Sequence, residues 1–399
     1  MLKGTLLYGQ SGGVTSVINA TAFGVLDEAL KSKAFDRILV MENGISGFME
    51  EKFFDMTDAD PKKLEILREL PGAFFGSCRR NLKTDEEFEE LFKVFEKYNV
   101  RYFLYNGGND SMTMAMKVHE KAREFGYEIT VVGLPKTVDN DLVETDHCPG
   151  YGSSAKYLYI SVIEGTLDVR SMSKDSTKVF VVETMGRHSG WLAASTVLAR
   201  KYTSAPHIIL VPEVPLNEGK FLEKVENVLS KEGFCTVVVS EGIKDEKGNL
   251  ISKLELKDSF GNVQLGGAGI KISRMISEDL KVRVHTAVPD YLQRSGRHIV
   301  SLQDLIEAEA VGRKGVQLLL EDVKGVMVTI KRESDEPYMW NLGFVELSKV
   351  GGRTRELPKE YILDMDISES FIKYVEPLTV GNFLPFYTER KYNLSIFEK

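Results

Sequence analysis

The chain has little cysteine, no long apolar run and no concentration of basic charge. Only three of its 399 residues are cysteines, Cys78, Cys148 and Cys235. Their spacing suggests neither a pair nor a zinc-ligand set, which favours a reducing compartment and no structural zinc. No hydrophobic stretch approaches the roughly 20 residues of a membrane-spanning helix, so no membrane role is expected. Lys and Arg total 51 against 59 Asp and Glu, a formal net charge of -8, and the basic residues are scattered. That pattern argues against a nucleic-acid surface. Low-complexity linkers are also missing. The opening MLKGTLLYG runs straight into an apolar strand with no signal-peptide pattern, and the cytoplasm is the expected location.

With 43% hydrophobic and 28% charged residues, the composition is that of an ordinary globular protein. The length exceeds what one core usually supports and predicts two or three domains. Short β-branched runs (GTLLYG, RILVM, RYFLYN, ITVVGL, KVFVVE, HIILVP, CTVVVS, VRVHTAV, GVMVTI) alternate with longer amphipathic stretches. In SMTMAMKVHEKAREFG, for example, Met112, Met116, Val118 and Ala122 suit one helical face. Such alternation predicts an α/β fold of doubly wound, mostly parallel sheets, and continuous apolar strands agree with burial on both faces. From about Lys331 the pattern changes to strand, turn and helix without a phosphate-type loop.

A strand runs into a Gly-containing turn and then a helix twice, at LLYGQSGGVTSVINA and FLYNGGNDSMTMA. In an open parallel sheet, ligands bind at the carboxyl ends of strands, where helix N-termini offer free N–H groups to anions. Each turn alone is also ordinary punctuation. The stretch after ITVVG is more specific: PKTVDND holds a cation, Lys136, a hydroxyl, Thr137, and two carboxylates, Asp139 and Asp141, within seven residues. Carboxylates two apart in extended backbone point the same way, so a base and a metal-facing group could share one site. A solvated loop of Asp turn-formers is the competing reading.

These segments resemble the phosphofructokinase family over about the first 330 residues. SGGVTSVINA is similar to its first phosphate loop, GAFFGSCR to its phosphate-binding arginine segment, GGNDS to its third loop and PKTVDND to its catalytic segment. VETMGRHSGWLA, VVVSEGI and YLQRSG are similar to its sugar-phosphate contacts. The resemblance implies two α/β domains with the active site in the cleft between them. Residues 1–150 and 293–345 would form the phosphoryl-donor domain, and 151–292 and 346–399 the fructose 6-phosphate domain.

It also implies residue roles. Asp139 would be the base for the sugar 1-hydroxyl. Gly13 and Arg79 would bind the donor phosphates, and Thr137, Val138 and Asp141 would orient substrate and hydrated Mg²⁺. Met185, Gly186, Arg187 and Glu241 would hold the sugar, and Tyr291 and Arg294 its 6-phosphate. ATP-using members have glycine where this chain has Asp110 and Lys136; pyrophosphate users are similar to it at both. Asp110 would then repel a nucleotide α-phosphate and Lys136 would contact pyrophosphate, although Asp110 also suits an N-cap of the helix after it.

Three departures stand out. Asn109 replaces the family's magnesium-associated aspartate, and Lys178 replaces an arginine that reaches a neighbouring subunit's site. A second such arginine falls near VRVHT, where a plain alignment gives His285 and Arg283 lies two residues earlier, and the match is left open between them. The expected activity is reversible, Mg²⁺-dependent transfer from pyrophosphate to fructose 6-phosphate by a homodimer or homotetramer. The alternatives are an ATP-dependent enzyme of the family and a non-catalytic sugar-phosphate-binding regulator.

Overall fold

The computed structural model describes residues 3–251 and 266–381. The stretches 252–265 and 382–399, which the domain expectation assigns to the sugar-phosphate side, lie outside the described residues. In chain order the first strands are β1 (Thr5–Gln10), β2 (Arg37–Met41), β3 (Phe53–Asp55), β4 (Val100–Gly107) and β5 (Thr130–Pro135). Then come β6 (Val179–Thr184), β7 (Ile208–Leu210), β8 (Cys235–Ser240) and β9 (Val284–Ala287), and finally β10 (Val326–Asp335) and β11 (Tyr338–Glu346). The described chain divides into two compact units, residues 3–151 with 294–355 and residues 152–251 with 266–293 and 356–381. The third crossing falls after Arg355, because the turns following β11 stay with the first unit.

The first unit holds a seven-stranded sheet in the order β11-β10-β5-β4-β1-β2-β3. Its strands are parallel except for β3 and β11, the antiparallel edges. Alternating side chains divide between two cores, as the period of two requires. Leu7, Leu39, Phe103 and Val131 pack with Phe88, Leu91, Phe92 and Phe95 of helix Asp85–Lys97 and with Met112 and Val118 of helix Asn109–Glu124. Leu6, Tyr8, Ile38, Leu104 and Val132 pack instead with Ala22 and Val25 of helix Ile18–Ser32 and with Val311 and Leu319 of helix Leu302–Leu320. Helices therefore cover both faces.

Helix Asp85–Lys97 begins at a capping box, with Thr84 accepting from the Glu87 N–H and Glu87 accepting from the Thr84 N–H. A cap of this kind is worth about 0.5–2 kcal/mol. The return helix Leu302–Leu320 crosses helix Ile18–Ser32 at two glycines. A Cβ on Gly24 would sit 2.1 Å from the Glu309 carbonyl oxygen, and one on Gly312 would sit 2.2 Å from that of Thr21. Any side chain at either position would force the helices apart.

The second unit holds a parallel sheet in the order β7-β8-β6-β9. On one face Val181, Leu210 and Val237 pack with Phe221 of helix Glu218–Glu232 and Ile272 of helix Ala268–Leu280. On the other, helix Tyr151–Met172 lies against the sheet, with Thr166 bonded to Thr236 at 2.9 Å and Gly165 close upon Phe180. Both units are doubly wound α/β layers. Between β11 and Tyr361 the chain forms short 3₁₀ turns, Leu347–Lys349 and Lys359–Tyr361, where a helix was expected; a two-stranded pair, Ile362–Leu363 with Asp366–Ile367, and a short helix, Phe371–Val375, follow.

Candidate active site

In the first unit β1, β4 and β5 are adjacent and in register at their carboxyl ends, with Gln10 beside Asn106 and Gly107 beside Pro135. The three motif-bearing loops therefore emerge side by side. After β1 the Ser11 N–H donates to Asn106 O (2.9 Å) and the Gly12 N–H to Cys78 O (2.9 Å), while Ser77 Oγ donates to Gly12 O (2.8 Å). Gly12 has φ +78°, a left-handed conformation that glycine takes without a Cβ clash. At Gly13 an added Cβ would lie 2.7 Å from Arg294 Nη1 and 3.8 Å from Arg79 Nη2. Two guanidinium groups thus face the backbone of the first loop. Arg294, expected among the sugar-phosphate contacts, stands here beside Arg79.

Lys136 leaves the end of β5 with its N–H donating to Gly107 O at 3.0 Å. Its side chain is 2% exposed and Nζ donates to Ser11 O (2.7 Å) and Gly13 O (2.6 Å). Burial, then the charges of Arg294 and Arg79, lower its pKa from 10.5 to about 7 against the pull of Asp139. Three cationic side chains are held in one small region, an arrangement that favours a multiply charged anion.

The third loop differs from the expected turn. Tyr105, Asn106 and Gly107 belong to β4, Gly108 is the N-cap, and Asn109 opens helix Asn109–Glu124. Asp110 is thus an exposed first-turn residue and not the cap, which corrects the capping alternative. A first-turn carboxylate is still favourable at the positive end of a helix dipole. Asn109 Nδ2 donates to Asp141 Oδ2 at 2.7 Å, and Asn109 Oδ1 is buried with no hydrogen-bond partner.

Between Thr137 and Asp146 the chain has no regular strand or helix. The Asp139 N–H donates to Thr137 Oγ1 (3.1 Å), Val138 is buried, and Asn140 turns the chain at φ +55° while its Oδ1 accepts from the Cys148 N–H (3.0 Å). Burial, and then the charge of Asp139, raise the Asp141 pKa well above the carboxylate range. Among the described residues no cluster of three or more His, Cys, Asp or Glu is ready-made for a metal. The residues nonetheless fit a hard divalent ion: an amide oxygen without a partner adjoins a carboxylate whose charge is poorly compensated, and such ions take oxygen ligands.

In the second unit β6 and β8 end in register, Thr184 beside Ser240. Met185–Arg187 and Glu241 follow directly and lie together. The Met185 N–H donates to Gln293 Oε1 (3.0 Å), the Gly186 N–H to Glu241 Oε1 (3.4 Å), and Ser240 Oγ to Gly186 O (2.7 Å). Gly186 has φ +135° and an added Cβ would meet Ser189 O at 2.6 Å, so the turn requires glycine. Tyr291 is 57% exposed. Lys178 stands apart: it precedes β6, about 20 Å along the strand from Met185, with Nζ donating to Ser173 O at 2.9 Å.

Sequence reasoning overlooked three groups. Gln293, buried, orients Met185. Asn140 fixes the turn between Asp139 and Asp141, a role its place between two aspartates could have suggested. Arg355 gathers the carbonyls of that turn and carries no local signal.

The phosphofructokinase family model matches residues 5–319. A pyrophosphate–fructose 6-phosphate 1-phosphotransferase of Xanthomonas campestris is 44% identical over 389 residues, covering 96% of this chain and 93% of that protein. One of the same description from Halomonas elongata is 41% identical, covering 96% and 94%. The crystal structure of a pyrophosphate-dependent phosphofructokinase from Marinobacter aquaeolei superposes with a TM-score of 0.86 at 41% identity, over 96% of this chain and 94% of that one. The chain belongs to the phosphofructokinase family. It is an α/β enzyme of that family, and such a phosphotransferase is consistent with a divalent-metal requirement.

Proposed function

We infer that the protein transfers a phosphoryl group reversibly from pyrophosphate to the 1-hydroxyl of fructose 6-phosphate. The observation that carries this reading is Lys136, buried with Nζ on the carbonyls of Ser11 and Gly13 and flanked by Arg79 and Arg294. It fills the space over the first loop with a cation suited to a compact, highly charged donor. Similarity at 44% and 41% identity over nearly the full length of relatives bearing the corresponding name supports it.

Phosphoryl transfer is chiefly positioning and charge stabilisation. Gly13, Arg79 and Lys136 hold the donor, with Arg294 beside them also within the family's 6-phosphate role. Met185, Gly186, Arg187, Glu241 and Tyr291 hold the sugar phosphate. Asp139 accepts the proton of the 1-hydroxyl as that oxygen bonds to phosphorus and the bridging P–O bond breaks, releasing phosphate. Val138 and Thr137 shape the same segment. Mg²⁺ held through Asn109 and Asp141 would offset charge on the donor.

Lys178, remote from this chain's own sugar loop, serves a neighbouring subunit's site, which makes the active species a homodimer or homotetramer; a monomer by light scattering would contradict it. The described residues include no helix long and apolar enough to cross a membrane, and the setting we propose is cytoplasmic. Incubation with fructose 6-phosphate and pyrophosphate should release phosphate and bisphosphate in equal amounts. Failure to do so in the presence of Mg²⁺ would remove this reading.

A further inference from the structure

The backbone of the catalytic segment is gathered onto one side chain that comes from far along the sequence. Arg355 Nη1 donates to Thr145 O (2.7 Å) and to Asp146 O (2.6 Å). Its Nε and Nη2 both donate to Asn140 O, at 3.2 and 2.8 Å. The Arg355 backbone N–H completes the set by donating to Asp141 O at 2.7 Å. Four carbonyls of one irregular segment thus accept from a single residue, and two of them belong to Asn140, which turns the chain at φ +55°, and to Asp141 after it.

We propose that Arg355 is the positioning residue of the catalytic segment, fixing the turn that carries Asp139 and Asp141. It acts through main-chain carbonyls. The planar fork is the reason for arginine: its donors point in fixed, divergent directions and reach carbonyls at both ends of the segment together. A lysine ammonium at the same place could serve one end but not span both. The bonds pin the segment where hydrogen bonds of a strand or helix do not, so their loss frees the positions of Asp139 and Asp141 without removing a substrate contact. A misplacement of about 1 Å can cost on the order of a hundredfold in rate.

The kinetic part of this proposal rests on the phosphotransferase reading above, and the test separates the two. Arg355→Lys and Arg355→Ala are made in the full chain and compared with wild type by steady-state kinetics and by amide hydrogen exchange. Each variant should lose about tenfold or more in kcat, with the KM values for fructose 6-phosphate and pyrophosphate changed by less than about threefold. Amides between Thr137 and Cys148 should exchange faster, while those of helix Ile18–Ser32 keep wild-type rates. Should Arg355→Ala not fold, Arg355→Lys decides. The proposal is overturned if Arg355→Lys keeps kcat within about twofold, or if exchange in the segment is unchanged or rises equally throughout the molecule. A wild type inactive with pyrophosphate would defeat the donor reading instead, and the exchange comparison would still decide the role of Arg355.

Discussion

Asp139 and Lys136 are three residues apart in sequence, and the proposed mechanism gives them opposite tasks, accepting a proton and holding the donor's negative charge. The turn at Asp139 is held through its backbone N–H, which donates to Thr137 Oγ1, and so survives loss of the carboxylate charge. Asp139→Asn should therefore leave KM for fructose 6-phosphate nearly unchanged while kcat falls by about 10²–10⁴, the usual share of a positioned base. Retention of more than about a tenth of kcat would show that the proton goes elsewhere. Lys136 has a pKa of about 7 before the donor binds. A polyanion placed beside it favours the charged amine and raises that value. Above pH 7, binding of pyrophosphate should thus take up a proton, and affinity should weaken as pH rises. Calorimetry at pH 8 in buffers of different ionisation enthalpy measures the uptake. The wild type should exceed Lys136→Met, and equal uptake by the two would contradict the assignment.

Between elements, His147 joins pieces that no short-range pattern connects. It is buried, with Nδ1 on Asp146 Oδ2 (2.8 Å) and Nε2 on Glu307 Oε2 (2.6 Å) of helix Leu302–Leu320. Tyr338 of β11 donates to Glu307, and Arg332 of β10 pairs with Asp146. Burial alone would lower its pKa, but the charge of Glu307 and the bonds to Asp146 and Glu307 raise it from 6.5 to about 9. A raised folded-state value means stability present below pH 6.5 and lost as pH climbs through 9. Lys136, whose value is lowered, pulls the other way over the range 7 to 10.5, so the total curve hides the effect. The difference between wild type and His147→Gln exposes it. That gap should shrink by up to about 3 kcal/mol between pH 6.5 and 9 in urea titrations. A gap independent of pH would mean that His147 is neutral throughout.

Strands were legible because buried parallel strands are unbroken β-branched runs, and each quoted run is a strand. β3 escaped, being three residues long, as did the cap at Gly108, since Asp110 looked like the better capping residue. His147 and Arg355 were not legible because their partners lie 160 and 215 residues away. Only folding brings them together.

For the molecule as a whole the central matter is the donor, and the proposed reading makes it turn on Asp110 and Lys136. Asp110 is exposed, so its repulsion of a nucleotide phosphate is closer to the roughly 1 kcal/mol of a charge pair 4 Å apart in water than to the roughly 4 kcal/mol of a less polar site. Asp110→Gly alone should then raise ATP use only about fivefold to tenfold. Lys136 is buried, and an added Cβ at Gly12 would lie 3.4 Å from its Nζ, so it both crowds and charges the loop. The most direct measurement is kcat/KM with pyrophosphate and with ATP, for wild type, Asp110→Gly and Asp110→Gly combined with Lys136→Gly. The account predicts a wild type that uses pyrophosphate and barely ATP, with ATP use rising from the single to the double variant as pyrophosphate use falls. A wild type that prefers ATP, or variants in which the ratio of the two donors does not move, would contradict it.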